Sequence, residues 1–416
     1  MRYNSSPARQ LPQRSPTPSP RSDSNNVREQ KPVGFPKKVK NKIKLFSIRL
    51  GLDMTFLFLV IILVIIGVVM MFSASYPAAL EYTGNSYYYL IRQSVFSIIG
   101  IGIMILVSYF DYHHFHKLAP WILLLSYILL VVVLAVPSSD DVHRWIPLGI
   151  FDVQASEISK FAIILFLAHW GSTHFRHMDT FKIGVLPALI ILVSTAALLI
   201  LEPHYSGIAI ITMLVAVMMF ISGVKIRYFV FASILIVAAV AVLAITGQLG
   251  YAMERLDGWG QALTYTDSVM WNKTYQTRNS LYAIGSGGLW GLGLGQSRQK
   301  YLYLPAAQND FVFAVVCEEL GFVGAMIILL IFALLVWRGI TISMRAKDKF
   351  GSFLGIGLSA QIGLQVILNI MVITDWMPNT GISLPFFSYG GSSLIMLLAQ
   401  MGIVLSISRT SNLEKV

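Results

Sequence analysis

The strongest constraint in this chain is the recurrence of apolar runs long enough to cross about 30 Å of hydrocarbon. They fall near 54–72, 94–110, 118–136, 158–170, 183–201, 207–222, 228–246, 311–336, 352–373 and 386–407. Over the whole chain 56% of residues are apolar and 12% are charged, roughly half the charged share of a soluble domain. A disordered chain is excluded, and a multi-domain soluble enzyme is argued against. The pattern predicts an all-α polytopic membrane protein with about ten transmembrane helices. A large loop, 247–310, separates the seventh from the eighth. The fourth run is the shortest and carries Lys160, which makes it the weakest span.

The net charge of +11 is an orientation signal. If the N-terminal tail is inside, the inside segments hold 23 Lys and Arg and the outside loops hold seven. Both termini are therefore expected in the cytoplasm and the 247–310 loop outside. This distribution gives no hint of nucleic acid. Residues 1–36 hold seven of the 16 prolines and little that could be buried, so the basic tail 1–50 is expected to be disordered. It is too long and polar for a cleavable signal peptide, and the first run should remain as a membrane helix. The Lys-rich stretch from Lys37 to Arg49 suits an anionic lipid leaflet. The helical domain then occupies 51–410, and 411–416 form a cytoplasmic end. The one cysteine, Cys317, lies in an apolar run and reads as a packed thiol.

A long outer loop in an otherwise short-looped protein is where chemistry is expected. The glycine-rich stretch 285–295 lacks dinucleotide spacing, because Trp290 holds the sixth position, and it reads as a loop with close backbone approach. Asp310 ends the loop just before the eighth run. A helix N-cap and a functional carboxylate are both open there. Glu318 and Glu319 lie two turns further into the run, where ionisable groups face a cavity or a partner. Glu157 and Lys160, at i and i+3, share a helix face beside Arg144 and Trp145. A mutual salt bridge and an anionic headgroup site are equally open. The segment Ser388-Tyr389-Gly390-Gly391-Ser392-Ser393 permits close helix packing and could offer N–H groups to a phosphate. His113, His114, His116, His174 and His177 fall in inside loops, where interfacial imidazoles are a better reading than a metal site.

These elements together resemble the SEDS family of bacterial peptidoglycan polymerases, from about 54 to 407. The resemblance rests on Arg144-Trp145-Ile146, on Gln154-Ala155-Ser156-Glu157-Ile158-Ser159-Lys160, and on Tyr282 to Leu289. It continues through Gln308-Asn309-Asp310-Phe311 to Glu318-Glu319-Leu320-Gly321, and ends on Gly381 to Ser393. It implies glycosyl transfer on lipid II at the outer face of the cytoplasmic membrane, with a class B penicillin-binding protein and other divisome proteins as partners. It also implies that Asp310 is the essential carboxylate. Cations beside the pyrophosphate would come from Lys160, Arg144, Arg255 and Lys300. A divalent cation, Mg²⁺ or Mn²⁺, would suit the same chemistry, although no cofactor is fixed by the sequence. The long tail and the elements near Phe72 and Tyr89 look more like the division branch, FtsW, than the elongation branch, RodA; the sporulation branch is the other reading. Three positions depart from the family pattern: Ala155 for a proline, His204 for an acid, and Asp375 in a usually apolar turn. A lipid II flippase using Glu157, Lys160, Glu318 and Glu319 is the competing function.

Overall fold

The computed structural model describes residues 51–136, 145–147, 152–232, 234, 258–264 and 268–410. The basic tail, the last six residues, most of the expected seventh segment, Arg144 and Arg255 lie outside them. In chain order the elements are α1 (Met54–Thr83), α2 (Tyr88–Tyr109), α3 (His113–Ala135), a hairpin of β1 (Trp145–Pro147) and β2 (Asp152–Gln154), and α4 (Ala155–Thr173). They continue with α5 (Leu186–Leu201), α6 (Tyr205–Ile221), α7 (Ser268–Lys273), α8 (Tyr275–Ser286), α9 (Val312–Met344), α10 (Lys349–Ile373) and α11 (Gly391–Thr410). The hairpin pairs Trp145 with Gln154 and Pro147 with Asp152 in antiparallel register.

Among the described residues, seven helices are long and apolar enough to cross a membrane. They are α1, α2, α3, α5 extended back to Phe181, α9, α10 and α11. Helix α6 is a shorter apolar helix. Nine of the ten expected runs thus appear as helices in the described chain. The fourth run, expected to be the weakest span, forms α4 of 19 residues, and α4 is not among the seven. Its Lys160 is compatible with that length because Lys160 Nζ lies 2.6 Å from Glu157 Oε1, so the ammonium is paired rather than left alone in an apolar setting.

The helices divide by what covers them. In α10 and α11, 61% and 67% of the apolar window is buried within the protein, against 22% in α2. Helices α10 and α11 are therefore central, while α2 turns most of its apolar surface outward, as a lipid-facing helix does. Small residues allow close approach at the centre. A Cβ on Gly391 would sit 2.5 Å from the Phe96 ring of α2, and one on Gly402 would sit 2.5 Å from the Met104 carbonyl oxygen.

Helix α9 is interrupted at Gly321, whose φ of 67° and ψ of −173° take it out of the helix. Two carbonyls and two N–H groups lose their helical partners at such a break, which is costly inside a membrane. The glycine-rich loop repairs it. Leu292 and Gly293 N–H donate to the carbonyls of Glu318 and Glu319, each at 3.0 Å, and Phe322 and Val323 N–H donate to those of Gly288 and Leu289 at 2.9 and 3.1 Å. Backbones come so close that a Cβ on Gly321 would lie 2.2 Å from Gly291 N. Close backbone approach is what the glycine spacing anticipated.

The far end of the bundle is closed by side chains. Asp53 caps α1 by accepting from Phe56 N–H at 2.9 Å, and Arg338 of α9 grips its carboxylate, with Nη2 to Oδ2 at 2.6 Å. Asp348, which caps α10, accepts from the Tyr112 hydroxyl and lies 3.4 Å from His113 Nε2. Burial pushes the Asp348 carboxyl up, but hydrogen bonds from His113, Tyr112 and the Gly351 N–H outweigh it and hold the group at about 2. A depressed carboxyl stabilises the fold above its unfolded value and loses that contribution as pH falls through about 4 toward 2. With solvent screening of a partly exposed group, the contribution is about 1–2 kcal/mol. Thermal unfolding in detergent should therefore show a midpoint that drops between about pH 4 and 2 in the wild type, with a smaller drop in Asp348→Asn. Of the histidines in this region, His116 and His169 meet at 3.3 Å between Nδ1 atoms. Among the described residues no three His, Cys, Asp or Glu side chains form a metal-ligand set.

Candidate active site

A cavity of about 630 Å³ opens between α2, the hairpin, α4, α6, α10 and the loop leading into α11. It gathers residues from widely separated parts of the chain. Glu157 and Lys160 come from the first turns of α4, Asp310 from the residue before Phe311, Ser388 and Gly390 from the loop before α11, and Gly391 from its first position. All six were singled out from sequence, and all six line this one cavity.

Asp310 is half-buried. The N-cap position of α9 is taken by Phe311, one residue on, and it makes no side-chain cap bond. Asp310 is held in place from behind. Asn369 of α10, fully buried, donates through Nδ2 to the Asp310 carbonyl and to the Ile382 carbonyl, each at 2.7 Å. On the other side stands Gly381, with φ +72°, where a Cβ would sit 3.2 Å from Asp310 Oδ2. Gly381→Ala therefore has two costs. The left-handed backbone disfavours alanine by about 1–2 kcal/mol, and the methyl pushes the carboxylate by a few tenths of an ångström. Displacement on that scale at a reacting group should lower turnover about 10-fold, read by glycan synthesis with the Asp310 side chain otherwise intact.

Asp310 also inherits the order of the loop before it. Gln276 of α8 donates to the Pro305 carbonyl at 2.9 Å, and Asn279 donates to the Tyr303 carbonyl at 2.8 Å. Arg278, 1% exposed, packs 3.5 Å over the Trp271 ring centre and donates to the Trp271 carbonyl at 2.8 Å. Ser280 anchors α8 to α10 through the Ile373 carbonyl at 2.9 Å. The 247–310 loop is thus an ordered platform over its described part.

The Ser388 hydroxyl is engaged locally, accepting from Leu384 N–H at 2.7 Å. Gln93 of α2, buried, braces the same turn by donating to the Ser388 carbonyl at 3.3 Å and accepting from Gly390 N–H at 3.4 Å. Both contacts fix the loop that forms the cavity wall. The hairpin is tied in as well, by Ser392 Oγ donating to the Asp152 carbonyl at 2.6 Å.

Lys300 is the site residue that the structure puts elsewhere. It does not line the cavity. Its ammonium is 4% exposed and donates to Glu319 Oε1 at 2.9 Å, to Ser73 Oγ at 3.1 Å and to the Gly295 carbonyl at 2.7 Å. A cation committed to a buried carboxylate in this way is a structural tie between the glycine-rich loop, α1 and α9. Glu318 and Glu319 are 0% and 1% exposed and serve the same tie. Glu318 accepts from the Ser297 hydroxyl and from Arg298 and Gln299 N–H at 3.0 and 3.3 Å. Glu319 accepts from Ser73 Oγ at 2.7 Å and Ser297 N–H at 3.2 Å. Asp375 also receives a physical account. Its carbonyl accepts from Trp259 Nε1 at 3.2 Å, while burial raises its carboxyl against the lowering effect of Gly260 and Ala262 N–H bonds. It pins the 258–264 segment to the end of α10.

Several cavity residues were given no site role from sequence: Arg92 and Phe96 of α2, His204, noted only as a departure from the family pattern, Gly207 at the start of α6, and Gln365 of α10. One signal was available for the last. Gln361, Gln365 and Asn369 recur every four residues within a membrane span, a polar stripe on one helix face.

Comparison with known proteins identifies the family. The FtsW, RodA and SpoVE family, described as cell cycle proteins, matches residues 53–413. Stage V sporulation protein E of Bacillus subtilis (strain 168) is 37% identical over 367 residues, covering 86% of this chain and 97% of that protein. A probable peptidoglycan glycosyltransferase FtsW of Geobacter sp. (strain M18) is 36% identical with the same coverage. Among solved structures, one described as "Structural coordination of polymerization and crosslinking by a peptidoglycan synthase complex" superposes with a TM-score of 0.71 at 27% identity. It covers 88% of this chain and all of that one. The rod shape determining protein RodA of Thermus thermophilus superposes with a TM-score of 0.62 at 27% identity, over 88% of this chain and 99% of that one. The match extends through every element that builds the cavity, and the chain belongs to the FtsW, RodA and SpoVE family.

Proposed function

We propose that this chain is a peptidoglycan glycosyltransferase that polymerises lipid II into β-1,4 glycan strands, with Asp310 as general base. The observation that carries the reading is the meeting of the Asp310 carboxylate with the Glu157–Lys160 pair in one large cavity. Relatives bearing the glycosyltransferase name cover most of the chain, which supports it. The acceptor's 4-hydroxyl attacks the donor's anomeric carbon. One C–O bond forms, the bond from that carbon to the diphosphate oxygen breaks, and the hydroxyl proton passes to Asp310. The leaving diphosphate is a stable anion, so the second, acidic carboxyl of a glycosidase is not needed. A single displacement turns an α-linked donor into a β product.

Lys160, 3% exposed and on the cavity wall, is the buried cation suited to the diphosphate. Glu157, 2.6 Å from the ammonium, holds it oriented until the anionic substrate arrives. A divalent cation, Mg²⁺ or Mn²⁺, would be held by the substrate diphosphate with one or two cavity carboxylates and would supply further charge neutralisation there. The excess of basic residues in the expected inside segments supports cytoplasmic termini and an outward-facing cavity at the cytoplasmic membrane. The synthase-complex relative supports a class B penicillin-binding protein as partner, and septal synthesis with the divisome is the setting we favour. Near-equal identity to the sporulation relative makes the sporulation branch the second setting.

The competing activity is a flippase, and the buried polar stripe of α10 is the observation in its favour. Vesicles holding lipid II only in the leaflet that the enzyme's cavity does not face distinguish the two. A polymerase leaves that pool unexposed while converting cavity-side lipid II into strands. Exposure of the hidden pool with no glycan formed would overturn the polymerase reading.

A further inference from the structure

The three amides of the α10 stripe differ in how they are partnered, although each lies within a membrane-spanning helix where an unpartnered polar group is expensive. Asn369 is committed to the Asp310 and Ile382 carbonyls. Gln361, 1% exposed, is off the cavity wall, and its Oε1 accepts no hydrogen bond from the described residues. Gln365 lies one turn from each. It is 5% exposed, lines the cavity with Asp310 and Lys160, and its carboxamide makes no hydrogen bond to a described residue.

We infer that Gln365 is a substrate-binding residue whose carboxamide hydrogen-bonds a neutral polar group of the bound sugar, an acetamido or a hydroxyl, beside the Asp310 carboxylate. The chemistry of the wall distinguishes this from a diphosphate contact. A carboxamide offers a donor and an acceptor together and carries no charge, which matches a group that is itself both donor and acceptor. The anionic part of the substrate is matched by Lys160. Position agrees: Gln365 is one helical turn from Asn369, whose amide nitrogen holds the Asp310 backbone, so the sugar contact falls close to the reacting hydroxyl. The inference rests on the glycosyltransferase reading and names a contact within its site.

The test uses the full chain reconstituted with a class B penicillin-binding protein, with lipid II titrated against Gln365→Met, Gln365→Asn and Gln361→Met. Methionine keeps nearly the volume of glutamine and removes its hydrogen bonds. Gln365→Met should raise KM for lipid II roughly 10- to 100-fold, as loss of a buried hydrogen-bonding partner does, with kcat changed by less than about 3-fold. Gln365→Asn should fall between it and the wild type. Gln361→Met, one turn off the wall, should leave KM unchanged. A wild-type KM in Gln365→Met, or equal KM shifts in the Gln365 and Gln361 variants, would overturn the assignment. If Gln365→Met does not fold, Gln365→Asn decides: an unchanged KM overturns the inference. If the wild type makes no glycan, the glycosyltransferase reading fails by itself. Direct lipid II binding then decides the Gln365 contact, and equal affinity of wild type and Gln365→Met would refute it.

Discussion

Asp310→Asn is expected to slow glycan synthesis by roughly 10²- to 10⁴-fold, the range that a positioned general base contributes, without unfolding the chain. The amide has almost the shape of the carboxyl but cannot accept the proton of an attacking hydroxyl. One structural contact at this residue is unaffected by the substitution, because it is made by the backbone: Asn369 Nδ2 reaches the Asp310 carbonyl at 2.7 Å. Asp310→Glu separates charge from placement. It keeps a base but extends it by one methylene, against a wall where Gly381 leaves little room. It should retain more activity than asparagine and less than aspartate. Steady-state rates for the three forms, with thermal unfolding as the control, give the ordering.

Lys300→Met should have the largest effect on stability. It leaves the Glu319 carboxylate, 1% exposed, without its counter-ion, and removing one member of a buried pair costs about 3–5 kcal/mol. The damage should spread to the seam that repairs the Gly321 break, because Glu318 and Glu319 grip the 297–299 turn while their carbonyls accept from Leu292 and Gly293. Replacing both partners, as Lys300→Met with Glu319→Leu, removes the stranded charge and should recover a substantial part of the loss. Thermal unfolding in detergent measures both. If Lys300 acted instead as a phosphate contact in the cavity, Lys300→Met would raise KM for lipid II and leave the unfolding midpoint where it was.

Much of this architecture is legible in the sequence because the bilayer leaves so few options. Backbone groups must be satisfied within each span, so apolar runs translate directly into helices, and the glycine spacing of 285–295 anticipates close backbone contact. Asp310, Glu157 and Lys160 were legible because ionisable groups near membrane depth are rare enough to be conspicuous. Lys300 was not, since nothing local in sequence reveals that Glu319, 19 residues on, returns to the same point through the glycine-rich loop. That Gln365, His204 and Gly381 share one cavity wall was illegible for another reason. A neutral polar residue or a single glycine in an apolar chain has many ordinary explanations, and only the convergence of α6, α10 and the 381–391 loop on one cavity singles them out. The interruption at Gly321 likewise depends on a partner backbone that arrives from another part of the chain.

The central claim is that this cavity joins sugars and that Asp310 takes the proton. Its most direct test is glycan strand formation from purified lipid II by the full chain with a class B penicillin-binding protein, run in parallel with Asp310→Asn in equal folded amounts. The account predicts strands from the wild type and none above background from the variant, with both proteins binding lipid II. Wild-type strand yield from Asp310→Asn would contradict the role of Asp310. Lipid II that is bound or translocated by the wild type but never consumed would contradict the activity itself.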